Sequence, residues 1–266
     1  MKHSVETIND QKSAKKGAVG TLETTLRKFK NLAFFGALFP IVIFYVFCLG
    51  ISLWPGTLMF TWAAGYVVGT GALFKSLIYA FAGAGAFISF VFVLILIVPI
   101  INYPIKPLVK PFRGAWFSLE SIPWLYHNAL IYLVRYTVLN LLTPSPISIF
   151  FFKAMGMKIG KNVLLNTGNI SDACLIEVED YATVGGSVYM IAHYGMKGFL
   201  VVDKMKISRG ANIGLHSYVM AAEVGEYATV MPNSVVLPKT KIPAHAKYGH
   251  NDTIISVKSE NESRHS

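Results

Sequence analysis

One histidine in the sequence is well placed for proton transfer. His193 lies near the start of a stretch, residues 190–207, that interrupts a regular repeat, and excursions from a rigid scaffold are where sites are usually built. A neutral imidazole can remove a proton from a hydroxyl or an amine at physiological pH. The base needs a carboxylate to orient it, and the sequence offers Asp172, Glu177 and Asp203 with no means of choosing among them.

Other catalytic patterns are missing from the sequence. It has no Ser or Cys nucleophile motif and no cluster of metal ligands, so we expect no covalent enzyme intermediate and no metal. Cys48 and Cys174 are far apart in the chain, and we expect two buried apolar side chains rather than a disulfide. A second histidine, His216, falls where repeat side chains point outward. We expect it at the surface or at a subunit interface, with a direct role as the lesser alternative.

The scaffold that would hold His193 is visible as a six-residue period. Six residues form one face of a triangular prism, in which an aliphatic side chain points to the axis, and about eighteen residues complete one coil. Each coil buries its inner face only by stacking on the next, so roughly five coils over residues 158–248 would form a solenoid. One step of five residues, between 219 and 224, predicts a bulge or a tightened corner. The aliphatic positions are Val178, Val184 and Met190, then Ile207, Ile213 and Val219, then Val224, Val230 and Val236.

The chain is too apolar for an ordinary soluble protein. The 266 residues are 53% hydrophobic and 14% charged, with a mean hydropathy of +0.49, and no charge occurs in residues 31–74 or 76–105. A bilayer crossing needs roughly 20 apolar residues, so we predict spans at about residues 32–53 and 77–102, with a turn at Trp54-Pro55-Gly56. A third crossing through the segment after the turn is the less favoured alternative, because it would place the C-terminal domain outside.

The net charge of +10 is concentrated beside the predicted spans, which argues against a nucleic-acid groove. Because basic flanks stay on the cytoplasmic side, we expect an integral protein of the cytoplasmic membrane with its repeat domain in the cytoplasm. Residues 104–156 would form helices, either lying on the inner leaflet or packed on the spans. The flanking residues are Lys12, Lys15, Lys16, Arg27, Lys28 and Lys30 before the spans and Lys106, Lys110 and Arg113 after them.

The repeat region resembles the hexapeptide acyltransferase superfamily, and over residues 116–251 it looks most like the membrane-bound repeat modules at the C-terminus of polylysine-type peptide synthetases. The resemblance rests on residues 173–180, 191–193, 213–214, 224–226, 232–236 and 242–249. It implies a left-handed parallel β-helix, a homotrimer, acyl-CoA bound between subunits, and His193 as general base. The sequence departs from the family pattern at residues 248–252, where a Gly-Gly-Asn-Pro-Ala-like stretch is usual.

The predicted fold is therefore mainly β: a left-handed parallel β-helix preceded by a transmembrane helical hairpin and interfacial amphipathic helices. We divide the chain into a basic segment (1–30), the hairpin (31–103), interfacial helices (104–156), the β-helix (157–250) and a tail (251–266). Lys239, Lys241 and Lys247 in the last coils would meet the phosphates of CoA or, equally, anionic lipid.

The predicted function is membrane-anchored acyl transfer. Acetyl-CoA or another acyl-CoA would be the co-substrate, and a hydroxyl or amine of a membrane-associated glycan or lipid-linked precursor would be the acceptor. The alternative is a non-catalytic trimeric scaffold that recruits a synthase. An acceptor outside the membrane ranks low, because the spans hold no polar path.

Overall fold

The computed structural model describes residues 11–249 and 254–255; His250 and most of the predicted tail lie outside the described residues. Five α-helices precede the β-helix, and helices make up 48% of the described residues. The prediction of a mainly β protein is therefore wrong, because the two long apolar helices and the segment after them contribute more regular structure than the coils. The helices are α1 (Gly17–Lys28), α2 (Lys30–Tyr66), α3 (Ala72–Asn102), α4 (Ser121–Thr137) and α5 (Pro146–Ala154).

The long helices α2 and α3 form an antiparallel pair, and both are long and apolar enough to cross a membrane. The predicted turn at Trp54-Pro55-Gly56 is wrong, since α2 continues through it to Tyr66. Pro55 removes one backbone hydrogen bond, but it does not end a helix whose other contacts persist. Gly56 provides such a contact: a Cβ there would lie 2.8 Å from Cβ of Ala86, so its missing side chain lets α3 approach. The chain reverses instead just after Tyr66.

Helix α4 packs on the long helices, and its position relative to the inner leaflet stays a prediction. The phenol of Tyr45 in α2 donates a hydrogen bond of 2.7 Å to the carbonyl of Ala129 in α4. Pro123 falls in the first turn of α4, where its missing N–H costs nothing. The buried side chains of α3, α4, α5 and the β-helix form one continuous hydrophobic core.

Parallel strands stack into three sheets, as a β-helix requires. The sheet orders are β2-β4-β9-β12-β15, β3-β5-β10-β13-β16-β17, in which only the β16–β17 pair is antiparallel, and β6-β11-β14. The strands are β1 (Phe112–Gly114), β2 (Lys158–Ile159), β3 (Leu164–Leu165), β4 (Ile176–Val178), β5 (Thr183–Val184), β6 (Tyr189–Ile191), β7 (His193–Met196), β8 (Phe199–Val202), β9 (Met205–Ile207), β10 (Asn212–Ile213), β11 (Tyr218–Met220), β12 (Glu223–Val224), β13 (Thr229–Val230), β14 (Val235–Val236), β15 (Lys241–Ile242), β16 (Lys247–Tyr248) and β17 (Ile254–Ile255).

The predicted six-residue period is confirmed as the register of the coils. Val178 pairs with Ile207, and Ile207 pairs with Val224 in the next coil. The predicted inward-pointing aliphatic positions are all buried. The step of five residues is confirmed as a tightened corner, where Ala221 adopts a φ of +38°. The handedness of the coil and the homotrimer remain predictions.

The predicted excursion is also confirmed, and it is a β-hairpin. Strands β7 and β8 pair antiparallel, joined by Lys197 and Gly198, which both have positive φ. On its other side β8 pairs with β1, which comes from the segment between α3 and α4. His193 is the first residue of β7, so a three-stranded sheet attached to the side of the coils fixes its backbone.

Candidate active site

Asp172 lies at the centre of the candidate site. Its side chain is fully buried, and its backbone has a φ of 59° and a ψ of 38° at a corner of the β-helix. Among residues with a side chain, Asp and Asn adopt this left-handed conformation most readily. The corner places the carboxylate between α4 and the start of the hairpin.

Four N–H groups donate to the two oxygens of this carboxylate. Trp124 Nε1 and Asn128 Nδ2 each lie 2.7 Å from Oδ1. The backbone N–H of Ala192 lies 2.8 Å from Oδ2, and Nδ1 of His193 lies 2.7 Å from the same oxygen. Every accepting position of an ionised carboxylate is thus occupied by a donor.

Helix α4 provides two of these donors from a single face. Trp124 and Asn128 are one helical turn apart, so both side chains point towards Asp172. The amide of Asn128 cannot reverse, because its Oδ1 accepts from the backbone N–H of Asp172 at 2.9 Å while its Nδ2 also donates to the carbonyl of Trp124. The next turns of the same face continue the contact with the corner: Tyr132 hydrogen bonds with Ser171, and Arg135 donates to Asn169.

The charge of Asp172 decides which nitrogen of His193 is basic. Burial raises the pKa of this carboxyl, but the hydrogen bond and the charge of His193, together with the hydrogen bonds from Asn128 and Trp124, outweigh burial and hold the pKa below its usual range. The carboxylate is therefore ionised and accepts a proton-bearing Nδ1. Nε2 of the neutral ring then carries the lone pair, which is the tautomer a general base needs.

The imidazole is buried on one side and open on the other. Trp124 packs edge-on against it with ring centroids 4.9 Å apart, and 20% of the His193 side chain remains exposed. In the described part of the chain, the only hydrogen bond of the ring is the one to Asp172. A substrate can therefore reach Nε2 without displacing a protein group.

In the described residues, neither of the other two candidate carboxylates hydrogen bonds with the imidazole. Glu177 pairs with Lys158 at 3.2 Å on the face of the first sheet. Asp203 follows the hairpin, where its backbone N–H donates to the carbonyl of Ala192 and its carboxylate accepts from the N–H of Lys204. Of the three candidates, only Asp172 is brought to His193.

The remaining predicted residues do not converge on His193. His216 is exposed at a corner, with a φ of +56°. Lys241 lies on the first sheet, paired with Glu223, and Lys247 lies on the second. Lys239 occupies the corner before Lys241. Because the three lysines lie on different faces of one chain, their contact with CoA remains a prediction.

Cys174 lies two residues from Asp172, in surroundings that disfavour its thiolate form. Burial and the negative charge of Asp172 raise the pKa of this thiol to about 12. At neutral pH the group is therefore a thiol, whereas the nucleophilic form of cysteine is the thiolate. Both Cys174 and Cys48 are free.

Sequence reasoning missed Trp124 and Asn128. One signal was present: in α4, Asn128 is a polar amide within an apolar run, and such a residue in a buried helix needs a partner. The identity of that partner was not visible, because Asp172 is 44 residues further along the chain.

No protein-family model matches the sequence, and no curated protein sequence matches it. Solved structures similar to part of the chain include a hexapeptide-repeat acetyltransferase from Vibrio cholerae, which is 13% identical with a TM-score of 0.42, over 50% of this chain and 91% of that one. A galactoside acetyltransferase in complex with coenzyme A is 13% identical with a TM-score of 0.42, over 60% and 93%. A serine acetyltransferase from Neisseria gonorrhoeae is 14% identical with a TM-score of 0.32, over 53% and 57%. With TM-scores below 0.5, these likenesses leave the function to be argued from the site itself.

Proposed function

We propose that this protein is a membrane-anchored acyltransferase that moves an acetyl or other short acyl group from CoA to a hydroxyl or amine of a membrane-associated acceptor. His193 is the general base, Asp172 orients it, and Trp124 and Asn128 hold Asp172. The coils lie on the cytoplasmic side of the membrane, where acyl-CoA is available, and the active form is a homotrimer.

One observation carries the proposal: a partly exposed imidazole whose inner nitrogen is fixed by a fully buried, ionised carboxylate. In the reaction, Nε2 of His193 takes the proton of the acceptor hydroxyl as its oxygen bonds to the thioester carbonyl carbon. The carbon–sulfur bond then breaks, and the imidazolium returns the proton to the leaving sulfur, giving CoA thiol and an acylated acceptor. Asp172 stabilises the transient positive charge without taking the proton.

Exposed apolar surface supports the membrane anchor. In the most apolar stretches of α2 and α3, only 11% and 28% of residues are buried inside the structure. A pair of soluble helices would bury far more of such side chains. The basic residues that precede α2 and follow α3 support a cytoplasmic location for both ends of the pair.

The test is acyl transfer by detergent-solubilised protein supplied with radiolabelled acetyl-CoA and a total lipid extract. We expect labelled lipid from the natural chain, and about 10²- to 10⁴-fold less from His193→Gln, since this is the usual contribution of a general base. His245→Gln is the matched control, because His245 is exposed at a corner and stacks on Tyr227.

The scaffold alternative makes the opposite prediction. If His193→Gln and the natural chain gave equal amounts of acylated lipid, or if neither gave any, acyl transfer through His193 would be refuted. Deletion of the whole β-helix would then still remove the cellular function of a scaffold.

A further inference from the structure

An apolar cavity of about 540 Å³ lies where α1 and the first turns of α2 meet the segment that leads into α4. Pockets that bury a whole small ligand measure roughly 300–1,000 Å³, so the cavity is large enough for a ligand of its own. Its lining is aliphatic and aromatic, which favours a hydrocarbon occupant over a polar one. Side chains that line it include Leu26, Phe29, Leu32, Trp116, Ile122 and Trp124.

The inner end of the cavity reaches the candidate active site through two tryptophans. Trp124 contacts His193 and donates to Asp172, as described above, while its ring also lines the cavity. Trp116 packs edge-on against Trp124, with centroids 6.3 Å apart. Trp116 also lies against the β7–β8 hairpin, because a Cβ at Gly195 would be 3.6 Å from Cζ2 of Trp116. An occupant of this end is therefore separated from the imidazole by a single ring.

A buried carboxylate fixes the wall that α1 provides. Glu23 is 1% exposed and accepts hydrogen bonds from Ser13 Oγ at 2.6 Å, Lys15 Nζ at 2.7 Å and the backbone N–H of Leu119 at 3.1 Å. Lys15 also pairs with Glu120. Burial raises the pKa of Glu23, but its hydrogen bonds to Lys15, Ser13 and Leu119 and the charge of Lys15 hold that pKa below its usual range. These hydrogen bonds attach α1 to the segment before α4, and α1 contributes Thr25 and Leu26 to the cavity wall.

The outer end of the cavity continues onto the apolar surface of α2. Phe29, Leu32 and Phe34 are 51%, 70% and 54% exposed, so a hydrocarbon chain can pass from that surface into the cavity. The 37 residues of α2 span about 55 Å at 1.5 Å per residue. Since a hydrocarbon core is about 30 Å thick, this end of α2 reaches the head-group level, where Lys28 and Lys30 would meet anionic lipid.

Building on the proposed function, we infer that this cavity holds the hydrocarbon chain of the acyl acceptor. The acceptor is then a lipid that carries a hydroxyl or an amine in its head group. Its chain enters from the surface of α2, and its head group would pass the edge of Trp124 to the open side of the imidazole, where it would meet Nε2 of His193. The cavity selects for a membrane lipid over a soluble sugar, because only the lipid can cover the apolar lining.

The test uses a sixteen-carbon alcohol that carries a photoactivatable diazirine on its chain, added to the detergent-solubilised full chain, with labelled peptides located by mass spectrometry. Gly36→Trp fills the cavity: Gly36 lines it, and a Cβ there would have no atom within 4 Å. Gly50→Trp is the matched control, since Gly50 also lies in α2 with open space around its Cβ but does not line the cavity. We expect labelling of the cavity residues to fall at least fivefold in Gly36→Trp and to stay unchanged in Gly50→Trp.

Three outcomes would overturn the inference. Labelling of the cavity could be equal in Gly36→Trp and the natural chain. Palmitoyl-CoA could reduce the labelling of the cavity while an unlabelled long-chain alcohol does not. The cavity would then bind the acyl chain of the donor rather than the acceptor. Labelling could also follow the expectation while no lipid is acylated, in which case the cavity is a lipid site but not an acceptor site, and the proposed function fails with it. If lipid acylation persists while labelling ignores Gly36→Trp, only this inference fails.

Discussion

Replacing Asp172 by asparagine tests the core of the mechanism with a change of one atom. The carboxylate accepts from four N–H groups, two on each oxygen, but an amide offers only one accepting oxygen. If the NH₂ group of the new amide faces α4, its two N–H groups point at the donors of Trp124 and Asn128, and none of the four has an acceptor. If it faces His193, the imidazole can relieve the conflict by moving its proton from Nδ1 to Nε2. The second arrangement is favoured, because only the imidazole can change tautomer.

The expected loss of activity follows from that tautomer. With a proton on Nε2, His193 no longer has a lone pair for the acceptor, and converting the carboxylate partner of a catalytic histidine to an amide costs about 10⁴-fold in rate. The backbone N–H of Ala192 also loses its acceptor, and each unpaired buried donor costs roughly 1–3 kcal/mol of stability. We therefore expect Asp172→Asn to fold, with reduced stability, and to be almost inactive.

Two measurements check this reasoning. Transfer of labelled acetyl groups to lipid extract gives the rate, and nitrogen NMR of protein labelled at histidine gives the tautomer. In the natural chain we expect Nδ1 of His193 to be protonated, and in Asp172→Asn we expect Nε2 to be protonated. An Asp172→Asn protein that keeps Nδ1 protonated, or that keeps more than about a tenth of the natural rate, would refute the orienting role; a general base contributes at least about 10²-fold.

The same structure makes three further predictions. Asn128→Asp places a second carboxylate against Asp172, so we expect at least about 10²-fold lower lipid acylation, because like charges at this distance disfavour ionisation. Gly214→Ala would place a Cβ 2.4 Å from the backbone nitrogen of Pro232 in the next coil. In the control Gly186→Ala, the nearest atom to the Cβ is the side-chain nitrogen of Asn166 at 3.5 Å. We expect only Gly214→Ala to lower the denaturation midpoint. Burial lowers the pKa of His127 to about 4, so protonation favours the unfolded chain as pH falls below about 6.5. Denaturant titrations of the detergent-solubilised protein should show about 2 kcal/mol lost between pH 7 and pH 5, and His127→Gln should abolish that loss.

The coils could be predicted from the sequence because their rule is local and repeats. A buried aliphatic residue every six positions places Val184, Ile213 and Val230 at one position of successive coils, and these residues pair in that order. The excursion was visible for the same reason, since it breaks the period. His193 was identified as a candidate because it lies where the period stops, and its role as general base came from the resemblance to hexapeptide acyltransferases.

Long-range contacts explain what the sequence did not show. Nothing local separates Asp172 from Glu177 as a partner for His193; the difference is a left-handed corner that turns Asp172 towards α4. In α2, the local signal at Pro55 predicted a turn, but the helix continues through this position. There Gly56 contacts Ala86 of α3. In both cases the structure shows a contact with a residue that is distant in sequence.

The position of α4 gives the apolar helices a role beyond attachment. The same helix packs against α2 through Tyr45 and Ala129, and it fixes Asp172 through Trp124 and Asn128. The orientation of His193 therefore depends on a helix that is itself held by the proposed membrane anchor. A β-helix separated from these helices would leave two oxygen lone pairs of a buried carboxylate without donors, and the desolvation cost would then favour its protonation. The proposed anchor would then be part of the candidate active site, and the proposed acyl transfer would depend on correct packing of α4 against it.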